Sequence, residues 1–197
     1  MGAEPPMENQ SRCAWCGTDP IYAAYHDTEW GRPLHDPRAL WECLMLEGFQ
    51  AGLNWITILK KRPSFRAAFA DFQPEIIANW AEPEVLRLLA DPGIIRHRGK
   101  IEATIAGARA YLRLQAGTGF STFVWAHVGG APITNHLASP ADAPAQTDIS
   151  IKLSKALKAE GFKFCGPTIT YAFMQAAGLV NDHLVSCDWH GRMTALP

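Results

Sequence analysis

Gly161-Phe162-Lys163-Phe164-Cys165-Gly166-Pro167-Thr168 lies between two helical patterns, 149–160 and 168–177. Gly161 suits the end of the first helix, where a left-handed residue is wanted. Gly166-Pro167 suits the start of the second. The shape is a helix-hairpin-helix. Free N–H groups opening the second helix would meet a phosphate, although an ordinary helical turn carries the same signature.

Working outward, the pattern is helical nearly throughout. Asp36-Pro37 is an N-cap followed by proline at the first helical position. The helix it starts carries Leu40, Leu44 and Glu47 on one face and ends near Gln50-Ala51-Gly52. A short helix is predicted over 54–60. Pro63 is expected to open another, with Phe65, Phe69 and Phe72 as its apolar stripe. Further helices are predicted over 74–80, 83–90, 100–115 and 120–128. Residues 139–147 read as a loop, and no segment alternates like a strand. The reading is all-α: one domain, single or bilobed, over 12–190 with tails at 1–11 and 191–197.

The composition narrows the function classes. Five scattered cysteines argue against a disulfide framework and for a reducing compartment. No apolar run approaches a membrane span and the first residues lack a signal-peptide plan, so a cytoplasmic monomer with no membrane contact is expected. The net charge of −1 is a weak footprint for nucleic acid. The basic residues cluster, however, at Lys60-Lys61-Arg62, at Arg96 to Lys100, and at Lys152, Lys155, Lys158 and Lys163. Each run is either a solvated face or part of a phosphate-facing side.

Two Cys/His pairs stand at opposite ends of the chain. Cys13 and His26 form one, His183 and Cys187 the other, the latter sharing a face if the segment is helical. Each pair is half of a tetrahedral zinc site, or two ordinary histidines with two buried thiols. Cys16, in Cys13-Ala14-Trp15-Cys16, and His190 compete as ligands. Glu47 points inward on its helix, as a satisfied core carboxylate or an active-site one. The aromatics around it (Trp15, Tyr22, Tyr25, Trp30, Trp41, Trp55) either fill the core or suit a flat cationic ligand.

Longer runs carry a resemblance. They are Cys13-Ala14-Trp15; Pro20 to Gly31, with Tyr22, Tyr25 and His26; Leu46-Glu47-Gly48-Phe49-Gln50-Ala51-Gly52-Leu53-Asn54-Trp55-Ile56-Thr57; Gly93 to Ile101; and Gly161 through His183. Over roughly 12–187 the chain resembles the 3-methyladenine DNA glycosylase I family of the helix-hairpin-helix superfamily. The resemblance implies one structural zinc ion held by Cys13, His26, His183 and Cys187. It implies a base pocket of Trp15, Tyr22, Tyr25, Glu47 and Trp55, with Glu47 as the catalytic, base-reading group. The implied substrate is double-stranded DNA with alkylated bases, and the released product free 3-methyladenine. Gln50, Gly52 and Leu53 would contact DNA as a wedge, and Lys163, Gly166 and Thr168 would hold its backbone. Two departures stand out: Phe49 occupies an expected glutamine position, and Asn181 the place of an aspartate common in the superfamily, unless Asp182 substitutes. No lysine follows the hairpin for Schiff-base chemistry, so a monofunctional hydrolytic enzyme is expected. The alternative is a non-catalytic, zinc-stapled module that binds damaged DNA.

Overall fold

The computed structural model describes residues 11–194. Ten α-helices run through them: α1 (Pro20–Thr28), α2 (Pro37–Gln50), α3 (Trp55–Ala68), α4 (Pro74–Ile77), α5 (Glu82–Ala90), α6 (Arg98–Ala116), α7 (Phe120–Trp125), α8 (Asp148–Ala159), α9 (Pro167–Ala176) and α10 (Asp188–Thr194). The molecule is mostly helical, as expected. No helix among the described residues is long and apolar enough to cross a membrane.

Helix α2 is the axis of the fold. Asp36 caps it by accepting from the Ala39 amide at 2.8 Å, and Pro37 supplies the preset first φ. Leu40, Trp41 and every residue from Leu44 to Phe49 are buried, Glu47 included. The helix packs against α3, α6, α7 and α9. The pair α8–α9 flanks the Gly161–Gly166 hairpin, with Gly161 left-handed (φ +100°) and Gly166 capping α9. The hairpin is clasped from inside: the Cys165 carbonyl accepts from Ser154 Oγ at 2.6 Å and Thr170 Oγ1 at 3.0 Å.

Several expectations are corrected. Pro63 does not open a helix; it lies inside α3, which runs on from Trp55. The lost hydrogen bond and ring clash cost about 3 kcal/mol. The buried face Ile58, Leu59, Phe65 and Ala68 continues across Pro63 and offsets that cost. Phe69 and Phe72 are buried as expected, but beyond α3, in a turn where Ala70, Asp71 and Phe72 all have positive φ. α4 stops at Ile77, and a 3₁₀ turn takes over from α7 at Ala126. The tail expected at 191–197 begins as helix, because Trp189 and Met193 bury one face of α10; residues 195–197 and 1–10 lie outside the described residues. A two-residue parallel ladder, β1 (Ile133–Thr134) with β2 (Val180–Asn181), was not expected. It is too short to show alternation. The His183–Cys187 segment is not helical; a turn closed by Cys187 N–H to the Leu184 carbonyl at 2.8 Å draws the two side chains together.

Candidate active site and metal centre

A cavity of about 250 Å³ opens between α1, the end of α2, the start of α3 and the segment after β2. That is small against the ~300–1,000 Å³ of drug-sized pockets and suits one flat ring system. All five residues expected to read a base line it. Trp15 comes from the 3₁₀ turn Ala14–Cys16, Tyr22 and Tyr25 from α1, Glu47 from α2 and Trp55 from α3. Trp15 meets Tyr22 edge-on at 4.9 Å, and Tyr25 meets Trp55 at 5.5 Å.

Glu47 is the anomaly in this wall. It is 3% exposed, and its Oε2 has no hydrogen-bond partner among the described residues. Burial pushes its carboxyl up to about 8. An unpaired buried carboxyl costs stability and calls for an explanation. The indole N–H groups of Trp15 and Trp55 are also buried and have no partner among the described residues. The site thus offers an acceptor and donors without internal partners, set among aromatic rings.

Asp182 lines the same cavity. Its carboxylate accepts from Asn135 Nδ2 (2.7 Å), Tyr171 OH (2.7 Å) and Gln175 Nε2 (2.8 Å). Asn181 faces the other way, donating to the His190 carbonyl at 3.0 Å. Successive residues of a strand point to opposite sides, so the acidic group belongs to 182 and Asn181 ties α10 down. Phe49 turns from the cavity and packs on Phe65 and Phe69 at 4.6 and 5.7 Å. The glutamine-to-phenylalanine departure is therefore a matter of core packing.

Beside the cavity, Cys13, His26, His183 and Cys187 are all buried, with their donor atoms within 4.8 Å of one another. Cys187 Sγ lies 3.5 Å from His26 Nε2 and 3.6 Å from His183 Nδ1, and Cys13 Sγ lies 3.7 Å from His183 Nδ1. Zinc–sulfur and zinc–nitrogen bond lengths give tetrahedral S···N edges of about 3.5 Å. The outer nitrogens fix the tautomers: His26 Nδ1 bonds Asp27 Oδ1 at 2.8 Å, and His183 Nε2 bonds the Trp30 carbonyl at 3.2 Å. Each ring thus turns a lone pair to the centre, as metal-ligating histidines do. The hydrogen bond between the two thiols pushes Cys13 up and Cys187 down; a divalent ion would take both as thiolates and displace their protons. Four N/S donors make a closed, structural geometry. The competing ligands are excluded by position. Cys16 Sγ lies against the Cys13 carbonyl at 3.1 Å, and His190 Nε2 against the Asn135 carbonyl at 2.9 Å.

With this geometry in view, a family model described as methyladenine glycosylase matches residues 15–190. The chain belongs to the methyladenine glycosylase family. It is 54% identical over 177 residues to DNA-3-methyladenine glycosylase 1 of Escherichia coli (strain K12), covering 89% of this chain and 95% of that one. A crystal structure of a 3-methyladenine DNA glycosylase I superposes with a TM-score of 0.89 at 53% identity, over 90% of this chain and 98% of the other. The enzyme from Staphylococcus aureus, solved for its recognition of 3-methyladenine, gives 0.87 at 43% identity, over 90% and 95%.

The residues expected to face DNA lie on two elements of this methyladenine glycosylase, the end of α2 and the α8–α9 hairpin. Gln50 lines the cavity. Gly52, at φ +81°, turns the chain so that Leu53 stands 42% exposed beside it. Lys163 and Thr168 are exposed on the α8–α9 hairpin, with Gly166 between them. Of the basic runs, the first is tied up internally: Lys60 with Asp19, Lys61 with the Pro92 and Gly93 carbonyls, Arg62 with Glu29. In the second, Arg98 pairs with Glu82 and Glu102, while Lys100 is buried. The third stays exposed at Lys152, Lys155, Lys158 and Lys163.

Proposed function

We infer that this protein is a monofunctional base-excision glycosylase that hydrolyses the N-glycosidic bond of 3-methyladenine in alkylated DNA. The observation that carries the reading is Glu47: a buried, unpaired carboxyl in an aromatic cavity the size of one base. Methylation at N3 makes the attached adenine cationic and weakens its bond to the sugar. Its positive charge and exocyclic amine match an acceptor that lacks partners in the free protein. Tyr22, Tyr25, Trp15 and Trp55 present ring faces and edges to the flat cation.

The base must leave the duplex to reach Glu47, at a cost of a few kcal/mol of unstacking. Leu53, carried out on the Gly52 turn, is the apolar filler for the gap. The hairpin residues Lys163, Gly166 and Thr168 hold backbone phosphate, with the α8 lysines extending the basic face. In the chemical step the C1′–N9 bond breaks with its electron pair leaving on the base, which becomes neutral. Water adds to C1′ and loses a proton, leaving an abasic site. The bond is already weak, so the cavity needs charge complementarity more than an acid. Asp182 adds a second carboxylate to the wall, held by three donors.

One zinc ion, bound by Cys13, His26, His183 and Cys187, fits the second centre. Its closed four-donor set would leave it a structural role, joining the segment before α1 to the segment before α10. The protein acts as a cytoplasmic monomer, a single domain that takes in α10.

The test is release of free bases from methylated duplex DNA, resolved by chromatography, with abasic sites counted in parallel. The expected outcome is release of 3-methyladenine and far less 7-methylguanine, whose methyl group sits on another edge of the ring. Comparable release of both would rule out the narrow pocket, and no abasic sites would rule out the activity.

A further inference from the structure

Two anomalies meet where the hairpin touches the end of α2. Lys100 is 7% exposed, and no carboxylate pairs with it among the described residues. It sits in the first turn of α6, where a cation opposes its own helix dipole. Its Nζ donates to the carbonyls of Phe49 at 2.9 Å and Ala51 at 2.7 Å, at the C-terminal end of α2. Those carbonyls immediately precede the Gly52–Leu53 turn. Phe164 is the second anomaly. It is left-handed (φ +53°), a conformation that a residue with a Cβ rarely adopts, and 38% exposed on the hairpin. Its ring lies 6.0 Å from Lys100 Nζ and meets His97 edge-on at 5.8 Å. Gly48 of α2 and Gly99 of α6 bring both helices against it: a Cβ on either would touch Phe164 at 3.5 Å.

We propose that Lys100 and Phe164 form a joint coupling the phosphate-facing hairpin to the base-extruding turn, as positioning residues for extrusion. The inference rests on the DNA-binding roles given above to the hairpin and to Leu53. Phe164 follows Lys163 directly, so a hairpin seated on phosphate fixes the ring. The ring fixes Lys100, and Lys100 fixes the carbonyls from which Gly52 and Leu53 depart. Glu47 and the aromatic walls lie outside this chain of contacts, so the joint acts before chemistry.

The experiment uses the full chain with four variants: Lys100→Met, Phe164→Gly, the double of these two, and Leu53→Ala. Glycine accepts φ +53° without penalty, so Phe164→Gly leaves the hairpin backbone at least as comfortable. Single-turnover excision is measured on methylated DNA, paired with its complement or single-stranded, where extrusion costs little. Free 3-methyladenine binding is titrated in parallel. Both joint variants are expected to bind the free base like wild type. Each should excise roughly 10- to 10²-fold more slowly from the duplex, the range a misplaced group far from the chemistry produces, with little loss on the single strand. The Lys100→Met/Phe164→Gly double variant should be no slower than the slower single one, because the two act as one unit. Normal duplex excision, equal loss on both substrates, or additive losses would overturn the joint. Normal duplex excision by Leu53→Ala would instead overturn the wedge itself. Loss in that variant with Lys100→Met unaffected overturns the joint alone.

Discussion

Glu47→Gln is expected to slow excision of 3-methyladenine by on the order of 10²-fold while leaving the protein folded. The size follows from what is removed. A fixed charge in a water-poor site contributes that much when it is complementary to charge on the reacting group. Glutamine keeps shape and one acceptor oxygen but loses the attraction for a cationic ring. A titration with a 3,9-dialkylated adenine, which keeps the lesion's positive charge, isolates the loss from chemistry. Unchanged affinity for that cation would remove Glu47 from its role.

The same substitution has a stability signature of opposite sign. Burial raises the Glu47 carboxyl from 4.5 to about 8. A carboxyl raised in the folded state gives stability that is complete below about pH 4.5 and lost as the pH climbs toward 8. The loss amounts to about 5 kcal/mol at alkaline pH, as an upper estimate for a group at a cavity wall. Glu47→Gln removes this slope, so its melting temperature should exceed that of the native protein near pH 9 and approach it near pH 5. Near neutral pH the free protein holds the Glu47 proton, and a bound cation expels it. Calorimetry in buffers of different ionisation enthalpy should show about one proton released, and none for Glu47→Gln.

Much of this site is legible in the chain because it follows from helix spacing. Glu47 shares a face with Leu40 and Leu44, all three buried, so period alone turns it inward. The four Cys/His donors are read from residue type and the family resemblance. What spacing hides is direction and distance. Pro20–Thr28 has the same Asp-Pro start as α2, yet only Tyr25 and His26 of its nine residues are buried, so no apolar stripe marks it. Phe49 is adjacent to pocket residues in sequence but faces the core, because one helical step rotates a side chain by about 100°. Asp182 and Gln175 reach the cavity through tertiary packing, and no local pattern brings a loop carboxylate to three donors from elsewhere. Lys100 sits in a basic run that reads as surface; only the open carbonyls ending α2 explain its burial.

The four-donor Cys/His cluster sets the second large effect. Cys187→Ser is expected to abolish binding of one equivalent of zinc and to lower the melting temperature by roughly 10 °C or more. Loss of a structural metal exceeds ordinary substitutions, and each kcal/mol is worth about 2–4 °C in a chain of this size. The damage should be local first. The small cluster of Cys13, Cys187, Trp189 and Met193 is separate from the main core. Otherwise it is tied down by polar contacts such as Arg12 to Asp27 and Trp189 Nε1 to the Asp27 carbonyl. Hydrogen exchange should therefore quicken in α1 and α10 while α2, α6 and α9 stay protected. Because Trp15, Tyr22 and Tyr25 hang from the same segment as Cys13 and His26, free-base binding should weaken along with the fold of that wall. Cys16→Ser is the matched control: its sulfur bonds a backbone carbonyl and lies outside the four-donor cluster. It should keep both metal and activity. A Cys187→Ser protein that stayed stable and held its pocket would show that burial alone, without the ion, joins the two ends of the chain. Asp27→Ala grades the effect, since the carboxylate orients His26 from outside. It should weaken zinc by about 10- to 100-fold while leaving all four ligands in place.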